Sequence, residues 1–274
     1  MARAETLEGP DYRIIFPVWA RAVADHIARE LPRRRREAAA WLGTQPNGAL
    51  EVHLVEDYKG MLAAAGHSAP TWALAVTRAD DRLVFRLDRL AQGPRSSLDV
   101  VLRHELIHQC INHYGRGRLP LWFEEGLCVH WAGSPYLKAA STVESMAAAG
   151  TLPTLDQTSR GFSRDGGVAA VSYETSKKAM GYFLAAHGPD AMRKLLEEVH
   201  GGKPFGDAFE SSTGQGVPQF EEQWRIHVTP ALPFLLDFFL RNLELTLLAL
   251  GGLIVAGGYV RYRLKRKSKL EELG

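Results

Sequence analysis

The pentapeptide His104-Glu105-Leu106-Ile107-His108, an HExxH motif, constrains this chain more than any other stretch of its sequence. On an α-helix, residues i and i+4 lie about 40° apart around the axis, so both imidazoles project from one face. Two neutral imidazoles held in this way can bind zinc, and Glu105 between them is placed to act on a water at the metal. Without a metal, the same residues are polar groups on a solvated helix face. The flanking sequence has to distinguish the two interpretations.

The residues around the motif predict a helix that is mostly buried. Gly93-Pro94 interrupts the chain before it, Ser96 or Ser97 can act as the N-cap, and 114–117 contains two glycines that end it. Apolar residues cover most of the remaining circumference, namely Leu98, Val101, Leu102, Leu106, Ile107, Cys110 and Ile111. Buried polar groups need partners, and a metal would provide one for His104 and His108.

A catalytic zinc usually takes three protein ligands and keeps a fourth position open. His113, Glu124 and Glu125 are the downstream candidates for the third ligand. His113 lacks the Gly and His spacing of the metzincins, which favours a surface position at the helix end. Pro120 suits the first turn of a second helix. A short turn containing Gly would fold that helix, running to about residue 131, back onto the first and bring one of its two glutamates to the zinc face.

HELIH followed by PLWFEEGL resembles the gluzincin metallopeptidases of the thermolysin and aminopeptidase N clan, and more closely the bacterial peptidase-MA-like domains. The resemblance extends over about residues 12–228. It implies one Zn²⁺ per chain held by His104, His108 and Glu125, with Glu124 as a neighbouring carboxylate. It also implies an oxyanion donor from a later helix, and Tyr173 matches this donor by order and context. The alternative for Tyr173 is a core aromatic residue.

The resemblance implies a zinc-dependent metallopeptidase that hydrolyses peptide bonds of a protein or peptide substrate. A zinc-activated water would attack the carbonyl, with Glu105 as the general base. An enzyme of the aminopeptidase N type is not indicated, because no G-x-M-E-N segment precedes the motif. The alternative function is a non-catalytic, membrane-tethered interaction module that retains the fold. Cys110 and Cys128 either form a disulfide or are small buried apolar residues.

The rest of the pattern predicts an α+β fold, in which a small N-terminal mixed sheet packs on the HExxH helix and a mainly helical part follows. Strands are expected at 12–16, 49–56, 72–77 and 82–87, and helices at 18–41 and 58–65. The expected organisation is a metallopeptidase domain at 1–230 (sheet part 10–92, metal helices 96–132, helical part 133–230), a membrane-associated segment at 231–262 and a basic tail at 263–274.

The C-terminal region predicts a membrane anchor. Residues 245–260 carry no charge, and extension to about 243–262 predicts one transmembrane helix that contacts membrane lipid. Basic residues then follow at once, which predicts a cytoplasmic tail and an extracytoplasmic catalytic domain. Since residues 1–5 contain no apolar signal segment, this orientation requires an export signal upstream. The alternatives are a tail-anchored protein with a cytoplasmic body and a buried core helix with a basic tail.

Charge argues against nucleic acid as a partner. Residues 1–260 hold 27 basic and 29 acidic side chains, so the overall charge of +2 comes from the tail. The run Arg33–Arg36 lacks interleaved aromatic residues or a second basic patch, and we expect it to be a solvated helix face.

Overall fold

A computed structural model of the protein describes residues 4–229, except 46–47, 67–68, 91–94, 115–116, 134–139 and 163–165, together with positions 243, 251, 253, 256–259 and 261. Residues Met1–Val228 form one compact unit and Thr229–Gly274 a second. The first unit has a mixed sheet near its N-terminus and helices thereafter. The α+β architecture predicted for this part is therefore confirmed.

Five strands form the sheet, in the order β1-β2-β3-β5-β4. The two end strands pair antiparallel with their neighbours, and the three inner strands run parallel to one another. Strand bounds are Ala4–Glu8 (β1), Tyr12–Pro17 (β2), Leu50–Val55 (β3), Ala75–Thr77 (β4) and Arg82–Arg86 (β5). The antiparallel β4–β5 hairpin therefore ends the sheet, with β4 as its outermost strand.

The helices account for most of the remaining chain. Their bounds are Arg21–Leu42 (α1), Tyr58–Ala65 (α2), Leu87–Leu90 (α3), Arg95–His113 (α4), Leu121–Ala132 (α5), Ala140–Ala148 (α6), Leu155–Gly161 (α7), Gly166–His200 (α8), Phe205–Thr213 (α9) and Val217–Val228 (α10). Helix α8 is interrupted at Gly188, whose φ of 77° is readily adopted only by glycine. A short 3-10 turn, Val18–Ala20, precedes α1.

The sheet is covered on both faces. Strand residues alternate in direction, so Leu83 and Phe85 join the main core with α1 and α4, whereas Val84 packs with Met61 of α2 on the other side. The main core continues into the helical part through α5, α8, α9 and α10. The metal-motif helix α4 thus lies against the sheet on one side and against α5 on the other.

Hydrogen bonds fix the β4–β5 hairpin to α4. Asp81 occupies the turn with a φ of 59°, a left-handed conformation that Asp tolerates better than most residues. Its carboxylate accepts a hydrogen bond from Gln109 of α4 at 3.3 Å. Asn112 of the same helix donates to the main-chain oxygen of Arg78 at 2.8 Å. These bonds hold the edge strand β4 in a defined position beside the HExxH motif.

Three local features differ from the sequence-based expectations. Strand β1 was not predicted, because its residues are exposed or half-exposed and show no run of apolar side chains. Helix α4 begins at Arg95, before both serines, so neither Ser96 nor Ser97 is its N-cap. Arg35, expected on a solvated face, is 1% exposed and donates to the main-chain oxygen of Gly48 at 3.0 Å.

The prediction of a C-terminal transmembrane helix is wrong. Among the residues that the structure describes, no helix has both the length and the apolar character that a bilayer crossing requires. A span needs about 20 mainly apolar residues, and the longest helices described, α1, α4 and α8, each carry several charged side chains. The predictions that depended on this helix are therefore not supported. They are the single-pass membrane location, the extracytoplasmic catalytic domain, the cytoplasmic tail and the lipid contact. Most of the predicted span at 243–262 lies outside the described residues.

Candidate metal centre

Helices α4 and α5 bring together three side chains that could hold a metal ion. His104 and His108 lie one turn apart on α4, and their Nε2 atoms are 3.2 Å apart. From α5, Oε2 of Glu125 lies 3.3 Å from Nε2 of His104 and 3.5 Å from Nε2 of His108. Pro120 precedes α5 in an extended conformation and does not break it, because α5 begins at the next residue.

The separations of these three atoms fit a tetrahedral zinc site. Ligands bound to zinc at about 2.0–2.1 Å in a tetrahedron lie about 3.3–3.4 Å from one another. The three observed separations lie within 0.2 Å of this range. Oε2 of Glu125 is also buried and forms no hydrogen bond of normal geometry within the described structure. A buried carboxylate oxygen in that state needs a cationic partner, and the residues present therefore fit a zinc ion.

The charges around the three donors favour a cation. Burial alone lowers the pKa of His108, but its interactions with Cys128, Glu125 and Glu124 outweigh burial, so its pKa lies well above 6.5. Burial alone raises the pKa of Glu125, but the two imidazoles outweigh it, so its pKa lies below its ordinary value. The surroundings of these donors therefore favour a positive charge, which a proton on His108 or a metal ion could supply.

Glu124 contacts His108 on the side away from the other donors. Nδ1 of His108 lies 2.9 Å from Oε1 of Glu124. With Nε2 directed at the metal position, Nδ1 carries the ring proton and donates it to the carboxylate. Such a bond fixes the tautomer and the orientation of a ligating imidazole. Glu124 and Glu125 thus have different positions, one behind His108 and one among the donors.

Glu105 lies beside the donors and is held by the edge strand. Thr77, the last residue of β4, has its hydroxyl 2.7 Å from Oε2 of Glu105 and 3.1 Å from the main-chain oxygen of the same residue. Glu105 is only 5% exposed, so this contact is well shielded from solvent. No sequence pattern indicated the contact between Thr77 and Glu105, because it depends on how the sheet is placed against α4.

These residues line a cleft of about 500 Å³. Tyr173 of α8 lies in its wall, with its ring centre 6.0 Å from that of His104 and 4.9 Å from that of Phe162. Strand β4 contributes Ala75, Val76 and Thr77 to another wall. The cleft therefore joins the donor atoms, the carboxylate of Glu105, the ring of Tyr173 and one sheet edge in a single space.

Close packing holds α5 in position. A Cβ atom added to Gly126 would lie 2.9 Å from the main-chain oxygen of Ser176 in α8, which is closer than such atoms approach. Only glycine lets α5 come this near to α8. Since Gly126 directly follows Glu125, the Glu-Gly pair of the sequence combines a candidate metal donor with the close contact that positions it.

His113 lies apart from the clustered donors, and Cys110 and Cys128 do not form a disulfide. The ring of His113 stacks on that of His200 with centres 5.1 Å apart, and His113 is not among the clustered donors. Cys110 and Cys128 are both buried free thiols, and burial raises the pKa of each to about 12. Only Cys128 lies with the donors: its Sγ and the donor atoms of His104, His108 and Glu125 are all within 4.8 Å of one another.

Comparison with known proteins identifies a family for the region of the chain that contains the candidate metal site. The family model of the Peptidase MA superfamily matches residues 42–230, which include both metal-motif helices and the sheet edge. None of the curated proteins compared with this sequence matches it.

Several solved structures are similar to the chain. Two are mutants of a two-domain M1 zinc metallopeptidase. The one bound to L-arginine is 18% identical, with a TM-score of 0.45, and the one bound to L-tryptophan is 19% identical, with a TM-score of 0.47; both matches cover 83% of this chain and 52% of the other. A mutant M1 zinc metallopeptidase from Deinococcus radiodurans is 19% identical, with a TM-score of 0.45, and the match covers 81% of this chain and 51% of that one. The chain thus matches about half the length of these proteins.

Proposed function

Because the chain belongs to the Peptidase MA superfamily, we propose that it is a zinc metallopeptidase in which Glu105 is the general base. The observation that carries the proposal is the convergence of His104, His108 and Glu125 at separations of 3.2 to 3.5 Å beside Glu105 in an open cleft. The chemistry supplied there when zinc is bound is polarisation of the scissile carbonyl and acidification of the attacking water.

The protein groups would divide the proton transfers and the charge stabilisation. Glu105 would take a proton from the attacking water and later deliver it to the leaving amine. Thr77 would hold the carboxylate of Glu105 in the required direction through the 2.7 Å hydrogen bond. Tyr173, in the cleft wall near His104, would donate a hydrogen bond to the oxyanion that develops on the substrate.

The cleft wall suggests which part of a peptide binds. Its described lining contains no Lys or Arg, and its carboxylates are Glu105, Glu124 and Glu125, each of which already faces a partner or the metal position. Neither end of a peptide would therefore find a dedicated opposite charge among these residues. Together with the edge strand β4, which can add a substrate strand by backbone hydrogen bonds, this favours cleavage at internal peptide bonds.

The variant Glu105→Gln tests the proposal. It keeps the size and polarity of the side chain but removes the base, so zinc binding should persist and hydrolysis should be lost. Profiling of new protein N-termini with wild type and variant would reveal cleavage that depends on Glu105. The control is Glu222→Gln, an exposed position on α10, which should cleave like wild type.

Two outcomes would overturn the proposal. Termini that appear equally with wild type and Glu105→Gln would exclude Glu105 as the base. Stoichiometric zinc in wild type without any such termini would favour a non-catalytic interaction module that retains the metal.

A further inference from the structure

The donor cluster contains a fourth side chain that the proposed mechanism does not use. Sγ of Cys128 lies within 4.8 Å of the donor atoms of His104, His108 and Glu125. Cys128 follows Glu125 by three residues on α5, so both side chains lie on one face of the helix. The thiol is completely buried, so it reaches the donors from within the core.

The environment of Cys128 differs from that of an ordinary core cysteine. Cys110 provides the comparison: it is also buried, but it lies outside the donor cluster, and its thiol makes a weak hydrogen bond to Gln109 at 3.9 Å. Cys128 instead faces two imidazoles and the buried Oε2 of Glu125, which forms no hydrogen bond of normal geometry in the described structure. An inert thiol would be expected among apolar side chains, whereas this one lies within 4.8 Å of three groups that could hold a cation.

The distances allow direct coordination after a small shift. A thiolate bound to zinc at about 2.3 Å lies about 3.6 Å from a nitrogen bound at about 2.05 Å in a tetrahedral site. All separations in the cluster are 4.8 Å or less, so each distance from the sulfur to another donor exceeds the value for a shared zinc by about 1.2 Å at most.

We propose that Cys128 is a fourth protein ligand of the metal, so that the resting site is closed by two imidazoles, one carboxylate and one thiolate. This inference rests on the metal site of the proposed function and adds a ligand to it. On coordination the sulfur–metal bond replaces the S–H bond, the proton leaves to solvent and no group changes its oxidation state. Four protein ligands are typical of closed sites, whereas a catalytic site keeps one position open. Cys128 therefore strengthens metal binding and restrains turnover until it is displaced or the coordination number rises to five.

Cobalt spectroscopy tests the proposal on the full-length chain. Co²⁺ bound to a thiolate shows a sulfur-to-metal charge-transfer absorption in the near ultraviolet, which nitrogen and oxygen ligands do not produce. Wild type and Cys110→Ala loaded with Co²⁺ should show this band, and Cys128→Ser should lack it. In competition with a chelator, Cys128→Ser should bind zinc at least about tenfold more weakly than wild type, since even outer-shell groups contribute about that much.

The outcomes separate this inference from the function on which it rests. Stoichiometric Co²⁺ in wild type without the band overturns the thiolate ligand and leaves the three-ligand site standing. Failure of wild type to bind metal overturns both. If Cys128→Ser does not fold, Cys110→Ala still decides the matter, because it retains Cys128 as the only cysteine of the chain. A band in that variant supports the proposal and its absence contradicts it.

Discussion

The carboxylate of Glu124 should strengthen zinc binding through His108. The two side chains meet at 2.9 Å, and Glu124 is 11% exposed, so solvent screens the bond only weakly. A hydrogen bond to a charged group contributes about 1.5–3 kcal/mol, which corresponds to a factor of roughly 10 to 150 in the dissociation constant for zinc. The same range, roughly 10 to 100, applies to other groups that orient metal-binding histidines. Glu124→Ala should therefore weaken zinc binding by at least about tenfold.

A second substitution separates the hydrogen bond from the charge. Glu124→Gln keeps a carbonyl oxygen that can accept the proton of Nδ1 but removes the negative charge, so its zinc affinity should lie between those of wild type and Glu124→Ala. Competition with a fluorescent zinc chelator measures all three, and circular dichroism checks that the variants fold. Glu51→Gln is the control, because Glu51 contacts His53 at 2.6 Å on β3, outside the cleft. Zinc affinity of Glu124→Ala within about twofold of wild type would refute the assigned role of Glu124.

Four further results are expected. Thr77→Val should lower kcat about tenfold, because it releases the carboxylate of Glu105, while zinc content stays unchanged. Thr77→Ser retains the hydroxyl and should keep a kcat close to that of wild type. Equal kcat values for Thr77→Val and Thr77→Ser in steady-state kinetics would show that the contact has no role. Gly126→Ala should destabilise the fold by about 1–3 kcal/mol in denaturant unfolding, whereas Gly206→Ala, where a Cβ meets nothing within 4 Å, should not. Because metal must displace the proton that the raised pKa keeps on His108, and also the thiol proton if Cys128 binds as proposed, zinc affinity should rise with pH above 6.5; affinity that does not rise there would contradict the protonated state of His108. Peptides blocked at both ends should be cleaved as fast as free ones, and cleavage only of free ends would exclude the internal mode.

Local spacing in the sequence indicated part of the candidate metal site. The i, i+4 separation puts His104 and His108 on one helix face, and Pro120 indicates where the next helix starts. The choice between Glu124 and Glu125 was not available from spacing, because adjacent residues on a helix point about 100° apart and either could have faced α4. The family resemblance indicated Glu125, and the structure places that residue among the donors and Glu124 behind His108.

Contacts between distant elements could not be predicted. Thr77 meets Glu105 only because the hairpin turn at Asp81 is tied to α4. The position of Cys128 among the donors depends on how closely α5 packs against α8, which Gly126 permits. At the C-terminus, hydropathy predicted a transmembrane helix, whereas no helix of the described residues has the length and apolar character that a bilayer crossing requires.

The hydroxyl of Thr77 has two acceptors within reach, and this lets one residue serve Glu105 in both of its protonation states. When the carboxylate is ionised, the hydroxyl can donate to Oε2 at 2.7 Å. When the carboxyl has taken up a proton, it can become the donor to the threonine oxygen, while the threonine hydrogen turns to the main-chain oxygen of Glu105 at 3.1 Å. Only hydrogens rotate in this exchange, so Glu105, acting as the proposed general base, would keep the same heavy-atom position while it gains and loses a proton.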